Sequence, residues 1–262
     1  MTSMRLRARA ARRSLLGALT AALSVAGLMG QVMAARDAHA SAVATGCTGT
    51  GAPAGAAAAV DPFSLYGDQL RFRVLRDGAP IGHHEVRFRA REDEVIAETR
   101  FEAEVRILFL TAYRYHYHSR DVWRDGCLVA LTAETNDNGK RTRVEAEFDG
   151  EVLRITSPAG PKAVAPGIHP TTHWNAGVLG STRVLNTITG RIAEVDLIAL
   201  GEDRVVVEGR TIIAQRYRYA GDIESEVWYD AEGRWVKMRF NAKDGSTIEY
   251  VCERCGAGAG SA

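Results

Sequence analysis

Thr99-Arg100-Phe101-Glu102-Ala103-Glu104-Val105-Arg106-Ile107-Leu108-Phe109 alternates apolar and charged side chains along nearly its whole length. A period of two sends Phe101, Ala103, Val105 and Ile107 to one face of an extended strand, and Arg100, Glu102, Glu104 and Arg106 to the other. The same rhythm recurs on both sides. Leu70, Phe72 and Val74 alternate with Arg71 and Arg73, and Thr142, Val144, Ala146 and Phe148 with Arg141, Arg143, Glu145 and Glu147. Trp235, Val236, Met238 and Phe240 carry a penultimate strand, and Ile248 and Tyr250 the last. Between the runs stand Asp77-Gly78, Asp125-Gly126, Asn138-Gly139, Asp149-Gly150, Glu208-Gly209, Glu232-Gly233 and Asp244-Gly245. Such dipeptides supply the positive φ of tight hairpin turns. One face of each strand is apolar and one charged, as in a sheet with one solvated side. The pattern predicts an all-β chain: a curved antiparallel meander or incomplete barrel of about a dozen strands. No run of ten residues has a 3.6 period, so long helices are excluded.

One stretch breaks the rhythm. Pro158, Pro161, Pro166 and Pro170 forbid continuous pairing from Ser157 to Ser181. After Pro170, Thr171 or Thr172 can cap a short helix through Trp174 to Leu179. The phrase His169-Pro170-Thr171-Thr172-His173-Trp174-Asn175 concentrates hydrogen-bonding groups and aromatic surface. It reads either as a lid over a β cavity, with Trp174 as apolar contact and His173 or Asn175 as polar handle, or as a plug in which Trp174 caps the sheet.

Arg5, Arg7, Arg9, Arg12 and Arg13, an uncharged apolar run from Ser14 to Ala35, and Ala38-His39-Ala40 make residues 1–40 a secretory signal peptide. Retention as a membrane anchor is the alternative reading of that run. Residues 41–62 are an Ala/Gly-rich leader, 63–255 one β domain and 256–262 a disordered tail. Removal of residues 1–40 turns the 33 basic and 32 acidic residues into 27 and 31, a formal charge of −4. That balance argues against nucleic acid as a partner. The expected location is the periplasm, with no stable membrane anchor after cleavage. Cys47, Cys127, Cys252 and Cys255 allow up to two disulfides among three pairings. Cys252-x-x-Cys255 stands alone, so a zinc ribbon is excluded and a local disulfide is the simplest reading.

No nucleophile elbow, phosphate-binding loop, dinucleotide fingerprint or H-E-x-x-H motif is present. The expectation is therefore a protein without an assigned catalytic residue or cofactor. The strongest remaining constellation is histidine. His116 and His118 share a strand face with Arg114 and Arg120, and His169 and His173 lie in the irregular stretch. His116, His118 and His173 are candidate ligands for a divalent metal such as zinc. Against this, Tyr113, Tyr115, Tyr117 and Trp123 occupy the opposite face as core, which makes the His/Arg face the solvated side.

Several local phrases together resemble one family. They are Leu70-Arg71-Phe72-Arg73-Val74-Leu75-Arg76-Asp77-Gly78 with Ile81-Gly82-His83-His84, then Tyr113-Arg114-Tyr115 with Trp123, then Pro170-Thr171-Thr172-His173-Trp174-Asn175, then Trp228-Tyr229-Asp230-x-x-Gly233-Arg234-Trp235-Val236. With Gly245-Ser246-Thr247-Ile248-x-Tyr250 they are similar to a family of bacterial exported proteins defined only as a domain of unknown function. The Trp-Tyr-Asp phrase is also similar to more distant envelope proteins of the lipoprotein-carrier group, whose half-barrels hold acyl chains. That resemblance implies a carrier of an apolar small molecule or lipid, with Phe72, Phe101, Tyr115 and Trp123 lining the concave face and Trp174 at its mouth. A metal-dependent enzyme and a structural or interaction protein of the cell envelope are the alternatives.

Overall fold

The computed structural model describes residues 60–107 and 110–256. The expected signal peptide, nearly all of the expected leader and all but the first residue of the expected tail lie outside the described residues. A short helix, α1 (Pro62–Tyr66), opens the described chain. Asp61 caps it by accepting a hydrogen bond from the Phe63 backbone N–H.

Fifteen strands follow. They are β1 (Gln69–Arg76), β2 (Ala79–Arg91), β3 (Glu94–Ile107), β4 (Leu110–Arg124), β5 (Cys127–Asp137), β6 (Lys140–Phe148), β7 (Leu153–Thr156) and β8 (Lys162–Val164), then β9 (His169–Pro170), β10 (Arg183–Leu185), β11 (Ile192–Val207), β12 (Arg210–Gly221), β13 (Ser225–Tyr229), β14 (Trp235–Asn241) and β15 (Thr247–Arg254). They form one sheet in the order β8-β7-β6-β5-β4-β3-β2-β1-β15-β14-β13-β12-β11-β10-β9. Every neighbouring pair is antiparallel except β9 with β10. The pairing of first strand with last, Val74 opposite Tyr250, joins two meandering arms at the middle of the sheet. The strands beyond the expected dozen are among the short β7 to β10.

Turn chemistry explains the regularity. Asn138 and Gly139 both have positive φ, 49° and 98°, which is what a two-residue hairpin link requires. The links at 77–78, 125–126 and 208–209 repeat it. Elsewhere an aspartate closes the turn by itself: Asp149 accepts from the backbone of Glu151 and Val152, and Asp230 from that of Glu232 and Arg234.

The segment from 165 to 191, here the strap, joins the far ends of the two arms. It carries β9, a 3-10 turn η1 (Ala176–Gly180) and β10. The cap of η1 is Asn175, whose side chain accepts from the Gly177 N–H, rather than the expected Thr171 or Thr172. The arms meet across it: Tyr117 Oη donates to Thr187 Oγ1 at 2.9 Å, and Thr142 Oγ1 donates to the Ile188 carbonyl at 3.2 Å. The sheet therefore curls on itself, yet β8 and β9 remain its unpaired edges. Among the described residues no helix is long and apolar enough to cross a membrane.

Cys252 and Cys255 form a disulfide, and Cys127 is disulfide-bonded as well.

Candidate functional site

Alternation decides what faces inward. Along β4 the inner residues are Tyr113, Tyr115, Tyr117, Ser119, Asp121 and Trp123, and register carries this parity across the sheet. One row runs Tyr115–Ala103–Gly82–Val74–Tyr250–Met238–Val227–Tyr217. The next runs Thr135–Tyr117–Phe101–His84–Phe72. Aromatic rings on these rows touch in a chain. Phe72 lies 4.3 Å from Trp235, Phe101 stacks on Tyr250 at 5.9 Å, and Phe101 meets Tyr115 at 5.5 Å.

The interior has two different ends. At the strap end, Trp174 and Trp123 are buried, with ring centroids 5.4 Å apart, and Phe88 packs on Trp174 at 5.2 Å. The strap backbone is held by phenols. Tyr66 Oη donates to the Trp174 carbonyl and Tyr229 Oη to the His173 carbonyl. At the other end, Phe101, Tyr115, Tyr217, Met238 and Phe240 are only half-buried. There the row dips at Gly82 and Ala103. A Cβ at Gly82 would stand 1.8 Å from the Glu102 carbonyl oxygen, so this close approach of two strands requires glycine.

The sequence-derived site residues therefore divide. Phe72, Trp123 and Trp174 are packed core, Trp174 being carried into it by the strap. Phe101 and Tyr115 do line the accessible inner face. Asn175 is the η1 cap. His173 is buried between Tyr219 and Trp235, and burial pushes its pKa down to about 4, so it is a neutral imidazole. His116 and His118 are exposed on the opposite, outer face. There they line an open cleft of about 800 Å³ with Arg100, Glu102, Glu134 and Arg141. The structure thus brings His116 and His118 together but sets His173 on the other side of the sheet, because strand parity separates them. Among the described residues no group of three or more His, Cys, Asp or Glu side chains is arranged to hold a metal.

One residue was missed. Asp121 is fully buried on the inner face of β4, opposite Ala97 on β3 and Leu131 on β5. Neither carboxyl oxygen has a hydrogen-bond partner of good geometry, nor do the buried hydroxyls of Thr99, Ser119 and Thr172 or the indole N–H groups of Trp123 and Trp174. Burial raises the Asp121 pKa to about 7, with the adjacent Ser119 and Thr172 hydroxyls pulling it partly back. Parity was the available signal, since 121 shares the register of Tyr117 and Trp123.

These features define a curled, incompletely closed antiparallel β-protein with an aromatic interior and one tethered end. The chain belongs to the family described as Domain of unknown function (DUF6134), whose model matches residues 72–253. Among solved structures it is similar to the β-barrel-like protein of domain of unknown function DUF1849 from Brucella abortus. That likeness has a TM-score of 0.52 at 9% identity and covers 71% of this chain and 95% of that one. It is a likeness of fold. No curated protein matches the sequence.

Proposed function

We propose that the chain is a binding module that takes an apolar, acyl-like ligand against the open end of its inner face. One observation carries the reading. Phe101, Tyr115, Tyr217, Met238 and Phe240 remain half-buried on a face most of whose other side chains are core, beside the small residues Gly82 and Ala103. A concave apolar surface of this kind gains free energy by covering itself. In this reading the module works in the periplasm after removal of residues 1–40, and needs no metal or cofactor.

The test is displacement of the fluorescent fatty acid cis-parinaric acid by saturated fatty acids of increasing length. Each buried methylene is worth about 0.8 kcal/mol, so affinity should rise roughly fourfold per carbon until the face is covered. Phe101→Glu should weaken binding at least tenfold. Absence of saturable probe binding, or affinity independent of chain length, would reject the module. A second reading, an envelope protein that docks a partner, rests on the apolar side chains Val206 and Ile213 of the β11–β12 hairpin, which are 59% and 50% exposed.

A further inference from the structure

The strap end contains an acid that no ion pair accounts for. The other buried acids have cations beside them: Glu94 pairs with Arg91 and Arg124, and Asp230 with Arg234. Asp121 pairs with none. From β3 it faces Ala97 and Thr99, from β5 Leu131, from its own strand Ser119 and Trp123, and from the strap Thr172. Among the described residues the Tyr117 phenol feels the charge of Asp121, and it is itself held to Thr187 of the strap. Thr187 in turn stands 3.3 Å from Thr171 Oγ1. Beside these contacts, the hydroxyls of Ser119 on β4 and of Thr172 on the strap lie against the Asp121 carboxyl. A protonated carboxyl is both donor and acceptor, and can bridge two hydroxyls at no charge. An ionised one, buried without a cation, draws water or forces its surroundings to open.

We propose that Asp121 is a proton-operated latch for the strap: the neutral acid holds Thr172 against β4, and the carboxylate lets the strap lift from the interior. The proposal does not depend on what the open end of the sheet binds. The direction follows from the raised pKa. The closed form binds the Asp121 proton more tightly than an opened form whose carboxyl meets water. Closing is therefore strongest at low pH, weakens as pH rises above the ordinary value of 3.8, and levels off beyond about 7.

Hydrogen–deuterium exchange of peptides from residues 165–191, corrected for the intrinsic pH dependence of exchange, reads the opening equilibrium directly. In the wild type, strap opening should increase about tenfold per pH unit from pH 5 and flatten near pH 7, on the order of 100-fold in all. Asp121→Asn, uncharged and of the same shape, should be flat across that range. Equal pH dependence in the two proteins, or a flat wild type, would overturn the latch. Should Asp121→Asn fail to fold, carboxyl carbon NMR of the wild type with labelled aspartate decides the matter. A buried carboxyl titrating near pH 7 agrees with the latch, and titration of every aspartate near or below 4 overturns it.

Discussion

Three buried tyrosines offer the same mutation, loss of one hydroxyl, in three different hydrogen-bonding situations. Tyr66 is fully buried in α1. Its hydroxyl accepts from the Trp235 N–H of β14 at 2.9 Å and donates to the Trp174 carbonyl of the strap at 2.9 Å. Tyr66→Phe would orphan two backbone groups in the interior. Each unsatisfied group costs about 1–3 kcal/mol, so the loss should be about 2–4 kcal/mol once partial relaxation is allowed. Tyr229→Phe would orphan one group, the His173 carbonyl, and should cost about 1–2 kcal/mol. Tyr219 has a buried hydroxyl with no partner. Its removal relieves a desolvated group and should be neutral or stabilising by a few tenths of a kcal/mol. Urea unfolding of the three variants, followed by tryptophan fluorescence and compared at constant m value, gives the order. A Tyr66→Phe cost no larger than that of Tyr219→Phe would refute the claim that this phenol ties the helix, the strap and the second arm together.

Gly82→Ala should cost more than about 3 kcal/mol, because the new methyl would meet the backbone of β3 rather than a movable side chain, and a midpoint shift worth less than 1 kcal/mol would show that the strands can part. His173 adds a pH dependence opposite in sign to that of Asp121. Its folded pKa of about 4 lies below the ordinary 6.5, so its contribution is whole above pH 6.5 and lost as pH falls towards 4, by about 3 kcal/mol. His173→Gln should flatten the stability profile over that window, and an unchanged slope in urea midpoints would exclude the imidazole as its cause.

Parity made the long strands legible. Once Phe101 and Arg100 were assigned to opposite faces, the core and charged sides of β1 to β6 followed, and the Asp-Gly and Asn-Gly links marked three of the five turns between them. It did not reach the short strands of the irregular stretch. β8 and β9 are three and two residues long, too brief for any period, and the proline at position 170 sits within one of them. The pairing of β1 with β15 was equally out of reach, because residues about 180 apart carry no local signal of contact. The side of the sheet on which each histidine lies was only partly legible for a related reason. His116 and His118 belong to a strand whose outer face was correctly read, but His173 lies on a segment without periodicity, so its side of the sheet could not be assigned. Asp121 was hidden by its own chemistry: a lone acid among Tyr, Ser and Trp reads as a surface residue unless strand parity is followed through it.

The two ends of the interior place different demands on any ligand. At the strap end, entry means displacing backbone whose carbonyls are bonded to Tyr66 of α1 and Tyr229 of β13. Both bonds must break before Trp174 can leave Phe88 and Trp123. Such a segment is a plug that lies over the buried Asp121 of β4, and its opening is governed by stability as much as by any guest. At the hairpin end no bond has to break, since Phe101, Tyr115, Met238 and Phe240 already meet solvent beside Gly82. In the proposed reading a ligand docks first where the sheet is open, and the proposed latch at Asp121 sets how far it can advance. If so, probe affinity at the open end should be nearly independent of pH, while exchange of the strap follows the protonation of one buried acid.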